Sequence, residues 1–289
     1  MVAGMVGRRR VLATVAAFAA AAALPLRPGR ARAGEALSIG LAPYFSTQML
    51  FEQYEPLRLF LERRLDRPVY LNTAKDFRTF ALRTREHAYP FVFDVPHLGR
   101  LAQVDDGYRP LLHMNARLRG IFLVADESKV ASPADLRGRT VATPDRLAII
   151  TMMGEEALAK AGLVVGTDVH LVPKPTHNAA VLSVLGGESD AALVWHSTLA
   201  SMAPETTGRL RPVGETAELP TFIQFLAAPA VPAAEVEAVR AAVLAFGATD
   251  EGRAFASGTG YGELVPVRPA DLAVLDRYLP MVRRAIKGP

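Results

Sequence analysis

The chain contains no cysteine. Disulfides, thiolate metal sites and a lipid-modified N-terminal cysteine are therefore excluded. Tryptophan is scarce, with Trp195 the single copy among 289 residues. The first 33 residues hold six arginines and no Asp or Glu. Long hydrophobic runs are lacking as well. The alanine-rich stretch from Val11 to Leu26 is broken by Pro25, whereas a membrane span needs about 20 predominantly apolar residues. No P-loop, dinucleotide fingerprint or G-x-S-x-G nucleophile turn occurs, which removes the common signatures of nucleotide-dependent and serine-nucleophile enzymes. No histidine pair has a spacing such as H-E-x-x-H, and a metal site would need Asp94, His97, His177 and His196 to converge from separate segments. The expectation is no metal, no cofactor and no catalysis.

What is present begins with Gly7-Arg8-Arg9-Arg10-Val11-Leu12-Ala13 ahead of the apolar stretch. This has the shape of a twin-arginine export signal, with an ordinary secretory signal as the alternative. The small-residue pattern Ala31-Arg32-Ala33 suits cleavage after Ala33. Residues 1–33 are thus set aside from the fold. Without them, 27 basic residues face 29 acidic ones, so a net charge of +4 becomes −2. The basic character belongs to the leader, and nucleic-acid binding loses its support. The mature protein is expected in the periplasm, without stable membrane insertion.

The following 256 residues alternate strand-like and helix-like segments. Leu37-Ser38-Ile39-Gly40-Leu41 reads as a strand followed by the loop Ala42 to Thr47. Met49 to Leu65 has apolar residues at helical spacing. Strand signals recur at Pro68–Leu71, Tyr89–Val95, Gly120–Val124, Gly138–Ala142, Val169–Val172, Asp190–Val194 and Phe222–Ala227. Helix signals recur at Asp76–Thr84, His97–Val104, Thr151–Ala161, His177–Leu185, Ala233–Phe246 and Pro269–Ile286. Such alternation predicts an α/β fold with mainly parallel sheets, whose ligands bind beyond the carboxyl ends of the strands.

Several segments carry a family resemblance. They include Pro43-Tyr44, Tyr54-Glu55-Pro56-Leu57, Ser132-Pro133-Ala134-Asp135-Leu136-Arg137-Gly138 and Ala157 to Leu163. The most specific is His177-Asn178-Ala179-Ala180-Val181 leading to Val184-Leu185-Gly186-Gly187-Glu188-Ser189-Asp190. In these the chain resembles the periplasmic phosphate/phosphite/phosphonate-binding proteins of ABC transporters. The resemblance implies a two-lobed type II periplasmic-binding-protein-like fold. Lobe one would comprise 34–117 and 235–289, and lobe two 118–234, with crossovers near Arg117–Gly120 and Ala227–Ala234. It implies an extracytoplasmic solute-binding protein that captures a small ligand by hinge closure for an ABC-type importer. That ligand would be an oxyanion such as phosphonate, phosphite or phosphate, or an altered small organic molecule. The partner is then a membrane permease, or a membrane sensor kinase in the alternative reading. An enzyme on the same fold is the remaining class.

The resemblance implies that His177 lies near a bound oxyanion. It also exposes departures. The family's Ser/Thr-rich phosphate loop is Pro144-Asp145-Arg146-Leu147-Ala148-Ile149-Ile150 here, with Thr143 and Thr151 at its margins. Asn178 stands where the family commonly has Asp, and Trp195-His196 where it has a small or acidic pair. A cleft tyrosine is replaced near Gly99. The expected ligand-binding set is Tyr44, Ser46, Thr47, Asp94, Thr143, Thr151, His177, Asn178, Trp195 and His196. Some of these have alternative roles. Ser46 and Asp94 suit helix caps, Trp195 either stacks on ligand or plugs the lobe interface, and Arg146 either clamps an anion or stays exposed. An apolar loop with Met152, Met153 and Trp195 nearby points to a ligand with more apolar surface, or to a smaller demand for anion contacts.

Overall fold

The structure is a computed structural model that describes residues 35–220 and 222–287. The expected export signal, 1–33, lies outside the described residues. The chain starts with β1 (Leu37–Leu41), α1 (Thr47–Leu65), β2 (Val69–Asn72), α2 (Phe77–Arg85), β3 (Phe91–Asp94), α3 (Pro96–Asp106) and β4 (Arg109–Met114). It then crosses to β5 (Gly120–Ala125), β6 (Thr140–Thr143), α4 (Ile149–Lys160), β7 (His170–Pro173), α5 (His177–Leu185), β8 (Ala191–Trp195), α6 (Pro204–Thr207) and β9 (Leu210–Glu215). It returns through β10 (Gln224–Ala227), α7 (Ala233–Gly247), α8 (Asp250–Thr259), β11 (Leu264–Pro266), α9 (Pro269–Ala273) and α10 (Leu279–Lys287).

Local chemistry accounts for many of these boundaries. Ser46 Oγ accepts the Met49 N–H and starts α1, while Leu50, Tyr54, Leu57 and Leu61 form its buried face. Pro96 occupies the first turn of α3, where a missing N–H costs nothing, and Gly107 ends it at a φ of 74°. The expected helix from Pro269 to Ile286 is instead broken into α9, a 3-10 turn at Asp276–Tyr278, and α10. Pro280 explains the break: it is tolerated only in a first turn, so α10 begins at Leu279.

Two sheets result. The first has strand order β11-β4-β10-β3-β1-β2 and the second β7-β6-β8-β5-β9. Both are mixed rather than mainly parallel. β1 runs parallel to β2 and β3, but β10 is antiparallel to β3 and β4. In the second sheet β6 is parallel to β7 and β8, while β5 is antiparallel to β8 and β9. β5 and β10, the strands that arrive directly from the opposite lobe, run against their neighbours, as does β11 at the edge of the first sheet, a reversal that strand–helix alternation does not reveal.

The same topology corrects one expected boundary. β10 belongs to the first sheet, with Gln224 opposite Asp94 and Phe225 opposite Phe93. The return crossing therefore lies between β9 and β10, not near Ala227–Ala234. The two crossings pair with each other. Leu118 N–H donates to Leu219 O (3.0 Å) and Leu219 N–H to Leu118 O (2.8 Å). Thr216 N–H donates to Gly120 O (2.9 Å), and Met114 N–H to Ile223 O (2.8 Å). A paired two-segment connection of this kind is where a hinge rotation would be absorbed.

The first lobe's core stacks Phe93 on Phe225 (4.5 Å between centroids), with Tyr54 packed against Phe93 and Phe255. The second lobe's sheet packs Ala142, Ala192 and Val194 on Ala180, Val181 and Val184 of α5. Among the described residues, no helix is long and apolar enough to cross a membrane.

Candidate functional site

In a fold of this kind a ligand is expected beyond the carboxyl ends of the strands, here those of β1, β3, β6 and β8. His97 of α3 donates from Nε2 to the Leu147 carbonyl in the loop between β6 and α4, a 2.6 Å contact from lobe to lobe. Tyr278 also crosses, donating to Glu156 Oε2 on α4 at 3.0 Å, with Arg277 Nε 3.5 Å from the same oxygen. These contacts hold α4, the helix that follows the altered loop, against the first lobe.

An aromatic cluster fills the lobe boundary. Trp195, ending β8, stacks on Phe222 of the return crossing at 4.9 Å, and Phe222 stacks on Tyr261 of the first lobe at 4.9 Å. Trp195 and Tyr261 are 6.4 Å apart, and Tyr44 meets Tyr261 edge-on at 5.8 Å. Tyr44 donates to Tyr54 Oη at 3.0 Å, and burial holds its phenol well above the usual range. Tyr261 donates to Gln53 Oε1 at 3.1 Å.

His177 opens α5 with Thr176 as its cap. Its Nδ1 accepts the backbone N–H of Trp195 at 3.2 Å. Burial pushes the ring down to about 4. A neutral ring whose Nδ1 is accepting must carry its proton on Nε2, so the second nitrogen is a donor. Thr143 ends β6. The pairing of Val141 with Ala191 puts Thr143 on the same sheet face as Trp195. Thr143 Oγ1 and Trp195 Nε1 are buried without a hydrogen-bond partner.

The remaining expected residues do other work or lie apart. Ser46 is exposed and caps α1, and Thr47 is its exposed first residue. Thr151 Oγ1 donates to the Asp145 carbonyl at 3.0 Å, closing the loop before α4. Asn178 is exposed on α5. His196 Nδ1 lies 3.4 Å from the Arg119 carbonyl, beside the first crossing. Asp94 is buried, but Val95 rather than Asp94 is the cap residue of α3. Asp94 Oδ1 accepts the Val95 N–H at 2.8 Å, Oδ2 has no partner, and burial pushes the carboxyl up to about 8. Across β10, Gln224 is paired in register with both Asp94 and His113. Gln224 donates to Pro96 O at 2.6 Å and contacts the Cα side of Gly99, so Gly99 lets α3 approach β10.

The altered loop satisfies itself. Leu147 N–H donates to Asp145 Oδ1 at 2.7 Å and Ala148 N–H to Asp145 O at 2.8 Å. Leu147, Ala148, Ile149 and Ile150 are buried. The loop donors ahead of this helix are thus taken up by Asp145, and apolar side chains occupy the surroundings. Arg146 is exposed and lines two grooves, one of about 230 Å³ beside β7 and one of about 580 Å³ that also touches Arg78 and Arg284. Neither groove reaches Tyr44, His177 or Trp195. Among the described residues, no group of three or more His, Asp or Glu is placed to hold a metal ion.

The model of one protein family, described as ABC transporter, phosphonate, periplasmic substrate-binding protein, matches residues 39–272. The chain belongs to this family. As a member, it is a periplasmic substrate-binding protein that takes up a small solute and serves an ABC transporter through its membrane permease.

Solved structures agree on the fold. XAC2383 from Xanthomonas citri, chloride-bound, is similar at a TM-score of 0.73 and 18% identity, covering 86% of this chain and 99% of that one. A binding-protein component of an ABC phosphonate transporter, PA3383 from Pseudomonas aeruginosa, gives 0.71 and 14%, covering 87% of each chain. PhnD1 from Prochlorococcus marinus, in complex with methylphosphonate, gives 0.68 and 14%, covering 87% and 98%. No curated protein sequence matches the chain.

The sequence pointed to neither Tyr261 nor Phe222, which meet Trp195 at the lobe boundary, and to His97 only as a metal-site candidate. Tyr261 had a local signal. It is flanked by Gly260 and Gly262, both at positive φ (69° and 76°), and a Cβ on Gly262 would lie 2.3 Å from Asn115 Oδ1. Two left-handed glycines around one aromatic residue mark a side chain aimed by a tight turn.

Proposed function

We propose that the cleft binds a small oxyanion of the phosphonate class, and that closure of the two lobes over it presents the protein to the permease. The single observation that carries this is the neutral donor set at the ends of β6 and β8: Thr143 Oγ1, Trp195 Nε1 and the Nε2–H of His177. Oriented neutral donors in a dry site stabilise an oxyanion without a cation nearby. The family match supports the ligand class, as does the methylphosphonate held by PhnD1. Ligand bound between the lobes favours the closed form by its higher affinity for it. Tyr44 and Asp94 are the proposed first-lobe contacts, with Asp94 protonated at neutral pH and so able to donate.

Export by the twin-arginine route belongs to the same proposal, on the strength of Arg8-Arg9 and the weakly apolar stretch behind them. No bond is made or broken in this reading. The test is thermal unfolding of the purified protein with methylphosphonate, phosphite, phosphate, sulfonates and small organic acids. A ligand at a hundred times its Kd stabilises the folded state by about 2.7 kcal/mol. No shift with any member of the panel sinks the proposal. Full recovery of unaltered ligand is expected, and turnover would favour an enzyme.

A further inference from the structure

We propose that the groove between the lobes holds a second ligand, a small organic oxyanion with a short aliphatic chain, whose charge is met by Arg78, Arg146 and Arg284. This goes beyond the oxyanion reading above, because the groove does not reach Tyr44, His177 or Trp195.

The space exists with the lobes already in contact. The groove measures about 580 Å³, within the range of small-molecule sites. Its walls come from both lobes. Arg78 belongs to α2 and Arg284 to α10 of the first lobe, and Arg146 to the loop before α4 of the second. The bond from His97 to the Leu147 carbonyl joins the lobes beside it without filling it.

The cations of the groove are uncommitted. Neighbouring arginines are spent on carboxylates: Arg283 on Asp105, Arg277 on Glu156 and Arg100 on Asp276. Among the described residues, Arg78, Arg146 and Arg284 have no carboxylate within ion-pair distance. The groove also carries three acids. Asp76 and Asp145 each turn Oδ1 to a backbone N–H, those of Thr79 and Leu147, at 2.7 Å. Glu155 is half-buried on α4. Burial lifts its carboxyl above the usual range, and Arg146 and Arg284 both pull against that lift. Two guanidiniums from opposite lobes thus converge on one carboxylate without pairing with it. Each keeps its planar fork of donors, the geometry that binds an oxyanion through two parallel hydrogen bonds.

The rest of the lining calls for a chain. Leu147 and Met152 of the second lobe and Met281 and Ala285 of α10 line the same groove. An inorganic anion leaves this apolar surface in water, whereas an alkyl chain covers it. Each methylene so buried is worth about fourfold in affinity.

The chain has no cysteine, so Ala285→Cys places one thiol in this groove and nowhere else. The experiment times alkylation of the purified variant by iodoacetamide with hexylphosphonate, methylphosphonate or hexan-1-ol present. Hexylphosphonate at about ten times its Kd is expected to slow alkylation about tenfold. Half-protection is expected at about a tenth of the concentration that methylphosphonate requires, from the burial of two methylenes. Hexan-1-ol, which has the chain without the charge, is expected to give no protection. Adding Arg146→Gln and Arg284→Gln, both at exposed positions, abolishes the effect. Pro173→Cys puts the thiol on the exposed second-lobe wall of the groove and is expected to show the same pattern, which covers a poorly folded variant at position 285. No protection at either position, equal protection by methylphosphonate or hexan-1-ol, or protection that survives in the arginine variants overturns the inference. The thiol reports on the groove alone, so the oxyanion reading of the cleft stands or falls separately, on its own ligand panel.

Discussion

The imidazole of His97 and the backbone carbonyl of Leu147 form a buried hydrogen bond of 2.6 Å that links the first lobe to the loop before α4. The two lobes therefore share a buried polar contact that needs no ligand. Replacing His97 by Phe leaves the Leu147 carbonyl unpaired. The expected result is a loss of about 1–3 kcal/mol in stability and weaker ligand binding, since the closed form is disfavoured. Chemical denaturation and calorimetric titration of the variant measure both; unchanged values would show that the contact is dispensable.

Acid should weaken the fold through two rings, the buried His97 and the half-buried His177. His97 and His177 are both held near 4 by burial, against an ordinary value of 6.5. Each binds its proton less well folded than unfolded. Stability is then complete above about pH 6.5 and falls as pH drops toward 4. A Tm profile over that range should slope downward toward acid, and His97→Gln with His177→Gln should flatten it.

Asp94 predicts an opposing slope, one that partly offsets the histidines between pH 4 and 6.5 and stands alone from there to about pH 8. Its folded value is raised to about 8 from an ordinary 3.8, so the folded state holds a proton that the unfolded state releases. Stability contributed by this group falls as pH rises between those two values, by at most about 1.4 kcal/mol per pH unit. Asp94→Asn should remove the slope. An identical pH profile in wild type and variant would contradict the buried, protonated carboxyl.

The contact of Tyr278 with Glu156 is expected to couple the lobes. A double-mutant cycle with Tyr278→Phe and Glu156→Gln should give an interaction of about 1–2 kcal/mol, in the range for a hydrogen bond to a charged acceptor at a partly exposed site. Additive effects would mean that the two side chains are neighbours without energetic consequence.

Gly154 packs α4 directly on β8. A Cβ there would lie 1.9 Å from Leu193 Cδ2. Gly154→Ala is expected to destabilise the protein by about 1–3 kcal/mol through overpacking, although alanine is the better helix former. Leu193→Ala in the same chain should relieve the overlap, so that the double variant loses less than the sum of the two single changes. Denaturant titration of the three variants tests this.

Much of the fold was legible because its signals are local. The face of α1 repeats at Leu50, Tyr54, Leu57 and Leu61, and all four are buried. Pro96 and Gly107 punctuate α3. The sites split differently. Thr143, His177 and Trp195 were read from strand ends and a family motif, and of these His177 and Trp195 are in direct contact. Ser46 and Thr151 were read from position, yet each spends its hydroxyl on local backbone. Tyr261 was not found, because it reaches Trp195 across 66 positions of chain, as the numbering of that contact shows.

By itself, the sequence determined the order of strands and helices, the residues that cap and end them, and the concentration of basic charge in residues 1–33. Periodicity, proline, glycine and hydroxyl caps act within a few residues and can be read without a partner. Only the tertiary structure decided that β10 joins the first sheet, that both sheets are mixed, and that Trp195, Phe222 and Tyr261 pack on one another. Those outcomes rest on backbone ladders and ring contacts between distant segments, such as Gln224 with Asp94. Which apolar face meets which other face is settled by burial in the whole molecule and by no local pattern.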